Sequence, residues 1–158
     1  MSQINLSLLR ESALFADMSD AEIASLAELF RGKSILAGKT VFIENMPGES
    51  LYLVKEGTIR ISKMLAEGDE QTLVVLGPDD TFGEMAVLDV APRSATARVI
   101  EDAHLLSICK NDFEELCDSY PALGLKLMRN IIRIFSKRIR ESSEEYRDML
   151  IWSLGRKD

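Results

Sequence analysis

The sequence predicts an α+β fold: an antiparallel, jelly-roll-like β-roll with short N-terminal helices and one long C-terminal helix. Three observations lead there. Between residues 39 and 109 the chain breaks into short β-rich runs punctuated by glycine and proline, the pattern of a barrel or sandwich made of many short antiparallel strands. On either side of that stretch the apolar residues recur at spacings of three and four, the period of an amphipathic helix. The last helical segment starts at Pro121 and runs to about residue 154 with no internal proline. At 1.5 Å per residue that is about 50 Å, longer than a domain of this size needs to cover itself.

Taken in order, INLSLLRESALF predicts a short amphipathic helix over residues 4–15. Ser19-Asp20-Ala21-Glu22 is a capping box, in which the Ser hydroxyl takes the N3 amide and Glu22 returns to the cap. It opens a helix that puts Ile23, Leu26, Ala27 and Phe30 on one face, with Gly32 as its stop. Strands are predicted over residues 40–44, 50–54, 58–62, 72–76, 95–100 and 104–108, separated in most cases by Pro47-Gly48, Gly57, Gly68-Asp69 and Gly77-Pro78. Asn111 then caps a short helix, and the long helix follows. No repeat, low-complexity tract or linker interrupts the chain. The expectation is a single domain over residues 1–158: helices over 1–33, the roll over 34–110, and C-terminal helices over 111–155.

The bulk composition narrows the function classes. Of 158 residues, 46% are hydrophobic and 28% charged, which is a soluble globular composition. No apolar run approaches the length of a membrane span, and the N-terminus lacks the basic start and unbroken apolar run of a secretory signal. Two cysteines, Cys109 and Cys117, are too few for a disulfide framework and fit a reducing cytoplasm. They match no zinc spacing, and His104 is the only histidine, so no metal centre or cofactor is expected. The net charge of −7 argues against polymeric nucleic acid as the main ligand. Residues 1–120 carry 10 Lys/Arg against 21 Asp/Glu, a net of −11, while residues 121–158 carry 9 against 5, a net of +4. A basic tail is attached to an acidic body.

The most informative stretch is FGEMAVLDVAPRSATARV, residues 82–99. Gly83 removes a side chain where the backbone must come close to something. Glu84 can accept hydrogen bonds from a sugar hydroxyl. Met85 to Leu88 can form one helical turn, whose free N–H groups attract an anion. Arg93 offers a planar fork matched to two phosphate oxygens. Ser94 adds a hydroxyl, and Ala95 an amide with no bulk before it. Together they suit a sugar phosphate with a single anionic charge. A nucleoside triphosphate calls for a P-loop with its Lys, which the chain does not have. The bland alternative is a turn, a helical stub and a strand carrying a solvated ion pair.

F-G-E-x-A-V, five residues, then R-S-A-x-A-x-V resembles the phosphate-binding cassette of cyclic nucleotide-binding domains, of the catabolite activator and protein kinase A regulatory subunit type. The cassette spans residues 82–96. Residues 41–44, then Pro47-Gly48-Glu-Ser-Leu-Tyr-Leu-Val54 and Gly57, resemble the first strands of that family. The resemblance covers roughly residues 8–150. It departs at Asn45, where the family usually has Gly, and at Met46, where it has an acidic or amide residue. Asn tolerates a left-handed backbone better than most residues.

The resemblance implies a cyclic AMP or cyclic GMP ligand. Arg93 would pair with the exocyclic phosphate oxygens and Glu84 would hold the ribose 2′-hydroxyl. Backbone amides near Ala86 and Ala95, with the Ser94 hydroxyl, would complete a shell that includes Gly83 and Met85. It also implies base contacts from the long helix, at Arg138, Ser142 and Ser143, from this chain or a partner copy. Adenine and guanine are left open: a Thr after the cassette arginine favours guanine in this family, but the Ser found here as Ser94 is also the adenine-binding pattern.

On the long helix, Leu127, Met128, Ile131, Phe135, Ile139, Ser142, Tyr146, Met149 and Leu150 form an apolar stripe. It is core packed on the roll, or in part a surface for a homodimer. Lys126, Arg129, Arg133, Lys137 and Arg140 form a basic stripe, either a face that is solvated or docked on the acidic body, or a landing strip for an acidic partner, nucleic acid or membrane. The functional expectation is a cyclic nucleotide receptor that regulates an unidentified protein effector through its C-terminal helix, with no DNA-binding domain and no catalytic residues. The alternatives are a scaffold of the same fold using the basic face, an enzyme cleaving the cyclic diester, which lacks clustered metal ligands, and a haem sensor, for which His104 is the sole histidine ligand.

Overall fold

The computed structural model describes residues 6–66, 68–89 and 91–155. Its elements in chain order are α1 (Leu6–Leu9), a 3-10 turn (Ala13–Phe15), α2 (Asp20–Ala27), β1 (Arg31–Ile35), β2 (Thr40–Phe42), β3 (Ser50–Ala66), β4 (Asp69–Leu76), β5 (Thr81–Phe82), α3 (Met85–Leu88), β6 (Thr96–Cys109), α4 (Lys110–Ser119) and α5 (Pro121–Ser153). The strands form one six-stranded sheet in the order β1-β6-β3-β4, with β2 on β6 and β5 on β3, every pair antiparallel. This is the antiparallel roll with short N-terminal helices and a long C-terminal helix that the periodicities predict.

The N-terminal helices are shorter than their apolar patterns. The helix expected over 4–15, whose first two residues lie outside the described ones, breaks after Leu9. The Ser12 hydroxyl accepts the Leu14 amide at 3.2 Å and starts the 3-10 turn instead, a local competitor with helix that serine supplies. In α2 the Ser19–Glu22 capping box forms in both directions. The helix ends at Ala27, however, and Gly32 is not its stop. Phe30 is buried against Phe15, with ring centroids 5.7 Å apart, and the chain leaves it as a strand. The predicted boundary between residues 33 and 34 therefore falls inside β1, which pairs with residues 103–107 of β6. Only Ile35 in β1 is even partly buried, so backbone pairing rather than an alternating apolar face holds it.

Gly57 does not separate two strands. It sits at φ 90° inside the continuous β3, where a Cβ would stand 2.6 Å from Ala103 Cα. The register to β6 shifts on both sides of it. A glycine bulge of this kind bends a strand without ending it, so the two predicted runs 50–54 and 58–62 are halves of one bent strand. The runs 95–100 and 104–108 likewise fuse into β6. At α4 the cap is Cys109 and not Asn111, because β6 runs directly into the helix.

Two apolar clusters build the core. Inside the roll, Val54, Ile59, Leu76, Phe82, Ala97, Val99, Ala103 and Leu105 meet. On its outer face, Leu51, Leu53, Leu106 and Ile108 meet the N-terminal segment, α4, and Leu123, Leu127 and Ile131 of α5. The buried Asn130 ties α5 down by donating to the carbonyls of Leu14 and Ala16, both at 2.9 Å. The apolar stripe thus splits. Its first half is core, while Ile139, Tyr146, Met149 and Leu150 are exposed on a helix that runs past the roll. Part of the basic stripe docks on the acidic body, through Lys126–Glu22 at 2.9 Å and Arg133–Asp17 at 3.2 Å.

Candidate functional site

The predicted cassette lies between β5 and β6. Strand β5 pairs Phe82 with Tyr52 of β3 and delivers Gly83 and Glu84 at its end. Gly83 takes φ 73°, which lets the chain turn into α3, the single turn expected from Met85 to Leu88. The amide of Ala86 already donates to the Gly83 carbonyl at 3.1 Å. Val90 lies outside the described residues. The chain returns through Arg93, whose amide donates to Met46 O at 2.9 Å and whose carbonyl accepts from Asn45 N at 2.8 Å. Asn45 takes φ 69°. The turn at 45–46, where the sequence departs from the family pattern, is thus what clamps the backbone of the cassette arginine.

Arg93 is not a surface residue: only 7% of it is exposed. Its guanidinium stacks on the Phe42 ring, 4.0 Å from the centroid. Nη2 donates to Ser50 O at 3.0 Å and Nη1 to Gly83 O at 3.3 Å. Nε is buried with no partner. The group fits only because two neighbours lack side chains. A Cβ on Gly48 would collide with Nε and stand 2.5 Å from Cζ, and one on Gly83 would come 2.8 Å from Nη1. The close approach that Gly83 was expected to permit is therefore to Arg93 itself. Burial pulls the Arg93 pKa below its ordinary value, while Tyr52 and Glu84 act the other way. A buried cation with a spare donor and no carboxylate in contact is a standing electrostatic cost, which a bound anion offsets.

Glu84 is also buried, 8% exposed, and its partner is not Arg93. Both carboxylate oxygens accept from Arg138 Nη1 at 3.3 Å, and Arg138 Nη2 donates to the Thr81 carbonyl. The solvated ion pair between Glu84 and Arg93 that the sequence offered as the bland alternative does not form.

One cavity of about 290 Å³ joins these groups, at the small end of ligand sites, which run roughly 300–1,000 Å³. All seven cassette residues singled out in the sequence, Gly83, Glu84, Met85, Ala86, Arg93, Ser94 and Ala95, line it, and so does Arg138. Ser94 is exposed, with its hydroxyl 3.9 Å from Met85 Sδ. Ser142 and Ser143 do not line the cavity and lie exposed on the outer half of α5. His104 faces β1, its Nδ1 3.1 Å from Ser34 Oγ, away from the cavity.

Much of the remaining lining is apolar: Phe42, Ile61, Leu73, Val74, Leu76 and Phe82. Sequence reasoning assigned these apolar residues no role in the site, and Gly48 and Ser50 entered only within the stretch that resembles the family's first strands. Pro47-Gly48 read as a turn, and nothing local says that its missing side chain makes room for Arg93. Among the described residues no helix is long and apolar enough to cross a membrane.

Comparison with known proteins agrees with this fold. The family described as "Cyclic nucleotide-binding domain" matches residues 32–120. The chain is 32% identical over 137 residues to the cyclic AMP receptor protein of Thermus thermophilus, a match covering 87% of this chain and 62% of that protein. The chain thus spans about 62% of the length of that relative. The crystal structure of the Thermus thermophilus catabolite activator protein superposes with a TM-score of 0.77 at 33% identity, over 88% of this chain and 63% of that one. The regulatory domain of Toxoplasma gondii PKA, solved as a co-crystal with cAMP, gives a TM-score of 0.63 at 33% identity, over 70% of this chain and 42% of that one. By the span of the family match and the identity to these relatives, the chain belongs to the cyclic nucleotide-binding domain family.

Proposed function

We propose that this chain is a receptor for a cyclic nucleotide monophosphate, cyclic AMP or cyclic GMP, that passes its occupancy to a partner through α5. The observation that carries the reading is Arg93: a guanidinium held in a buried cradle at the wall of a mononucleotide-sized cavity, with Nε unpartnered. Only two of its five donors are used, both on neutral carbonyls. The cyclic phosphate sits against this fork and takes the remaining donors as charge-assisted bonds. The Ser94 hydroxyl and the Ala95 amide complete the anion site. Glu84 accepts from the ribose 2′-hydroxyl, and the base packs on the apolar wall.

The relay follows from Arg138. It belongs to α5, yet its hydrogen bonds go to Glu84 and Thr81 at the cavity. A hydroxyl donated to Glu84 competes for the same oxygens, so occupancy changes how firmly α5 is held over the site. The exposed half of α5, with Ile139, Tyr146, Met149 and Leu150 on its surface, is the surface by which two copies pair. Ser142 and Ser143 then reach the base of the partner copy. The effector is a further protein, the setting is the cytoplasm, and the role is binding rather than catalysis. The scaffold alternative, which uses the basic face of α5, has less support, because Lys126 and Arg133 already pair with Glu22 and Asp17.

Melting curves test the reading. A ligand that binds only the native state adds about 2.7 kcal/mol at a hundredfold excess over its dissociation constant, a shift of several degrees for a domain this size. Cyclic AMP or cyclic GMP should produce that shift, and the linear 5′-monophosphates far less. No shift with either cyclic nucleotide at millimolar concentration would overturn the receptor reading.

A further inference from the structure

We infer that Lys63 reads the edge of the base and makes this cavity select guanine over adenine. The inference rests on the receptor reading above, and it concerns the one choice that the cassette leaves open. The cassette side of the cavity supplies the cation Arg93 and the acceptor Glu84, so phosphate and sugar belong there. The base is left to the apolar wall of Ile61, Leu73 and Val74, whose side chains suit an aromatic ring. Besides Arg93, two positively charged side chains line the cavity, Lys63 on β3 and Arg138 on α5.

They are not equivalent. Arg138 is committed to the Glu84 carboxylate and the Thr81 carbonyl, with its side chain only 27% exposed. Lys63 stands two residues beyond Ile61 on the same face of the strand and is 49% exposed. Its ion pair is a long one, Nζ to Glu44 Oε1 at 4.0 Å. Glu44 does not depend on it, because Glu44 Oε2 accepts the Met64 amide at 3.1 Å. The ammonium is therefore free to swing toward a base while its carboxylate neighbour stays in place.

The chemistry then selects. An ammonium has three donors and no acceptor. Guanine presents N7 and O6, two acceptors side by side, whereas adenine presents N7 beside the N6 amino donor. For the adenine amino group the side chains lining the base wall offer no acceptor. Among the described lining residues the acceptor side chains are Glu84 and Ser94, and both belong to the cassette. A lysine at this edge gains two acceptors from guanine and meets a like donor on adenine.

Calorimetric titration of the full chain with cyclic GMP, cyclic AMP and cyclic IMP tests this, because the inosine analogue carries O6 and N7 but lacks the exocyclic 2-amino group. Wild type should bind cyclic GMP and cyclic IMP about tenfold tighter than cyclic AMP, the scale of one charged hydrogen bond at a half-exposed site. Lys63→Met should bring the dissociation constants for cyclic GMP and cyclic AMP to within about threefold of each other. Lys63→Arg, which keeps donors at this position, should retain the preference and guards against a variant that fails to fold. Equal affinity or a cyclic AMP preference in wild type, or an unchanged ratio in Lys63→Met, overturns the role of Lys63 while leaving the receptor reading standing. Absence of heat with all three ligands on wild type overturns the receptor reading itself, and this inference with it.

Discussion

Arg138 on α5 and Glu84 on the cassette, 54 residues apart in sequence, form a part-buried ion pair in which Nη1 lies 3.3 Å from both carboxylate oxygens. The pair connects the C-terminal helix directly to the wall of the cavity. Arg138→Ala removes that tie and leaves Glu84 buried beside Arg93 without its partner. We expect two effects: a loss of stability of about 1–3 kcal/mol, the scale of breaking a part-buried charged hydrogen bond, and faster amide exchange over residues 132–150 in the ligand-free protein. Exchange that is unchanged across this segment would show that Arg138 does not hold the helix.

Arg93 and Glu84 should fail differently. Arg93→Gln removes the charge and the fork, and charge-assisted bonds of about 1.5–3 kcal/mol translate into an affinity loss of about ten- to a few-hundredfold. Arg93→Lys should also lose affinity, because a point charge does not reproduce the fork. Glu84→Gln keeps an acceptor oxygen, so its loss is milder and shrinks with the 2′-deoxy ligand. The ligand-free stability of Arg93→Gln should stay within about 1 kcal/mol of wild type, since losing the stack on Phe42 is offset by relief of a buried charge. Equal stability losses in all three with affinity untouched would mark these residues as structural.

Gly48→Ala is a more indirect probe of the same cradle. The new methyl occupies the space of the Arg93 side chain, so the guanidinium must leave its place on Phe42. Overpacking of this kind costs about 1–3 kcal/mol, and we expect at least a tenfold drop in nucleotide affinity in a protein that still melts cooperatively. Wild-type affinity would mean that Arg93 does not need its position on Phe42.

Ending the chain after Ser136 removes Arg138, Ser142, Ser143 and the exposed stripe, but keeps Asn130 and Ile131, which anchor α5 to the core. We expect weaker nucleotide binding and a smaller particle by light scattering. An unchanged particle size would remove the outer half of α5 as a surface between copies.

The parts of this fold that were legible in the sequence are those whose cause is local. The Ser19–Glu22 box, the single turn after Glu84, the cassette spacing and the start of α5 at Pro121 each depend on neighbours a few residues away, and each appears where it was read. What was not legible depends on contacts across the sheet. Strand β1 carries no apolar alternation, because only its backbone pairs with β6, so residues 31–33 read as the end of the helical segment and the roll as starting at 34. Gly57 read as a turn, because only the proximity of residues 101–103 shows it to be a bulge. In the cavity, the identity of the cassette residues was legible but their partners were not. That Gly48 and Gly83 make room for one arginine, that Asn45 and Met46 clamp its backbone, and that Glu84 pairs with Arg138 are facts of the packed chain. Arg138 itself came only from a family resemblance, and Ser142 and Ser143, drawn from the same resemblance, lie away from the cavity of their own chain.

The most direct measurement is a calorimetric titration of the wild-type chain and Arg93→Gln with cyclic and linear nucleotides. If the buried guanidinium is the anchor for a cyclic phosphate, wild type gives saturable, one-to-one heat with at least one of cyclic AMP and cyclic GMP. The matching 5′-monophosphate binds at least about tenfold more weakly, and Arg93→Gln loses about ten- to a few-hundredfold in affinity while remaining folded. Heat of the same size and midpoint for wild type and Arg93→Gln, or none with either cyclic nucleotide at millimolar concentration, would contradict the account.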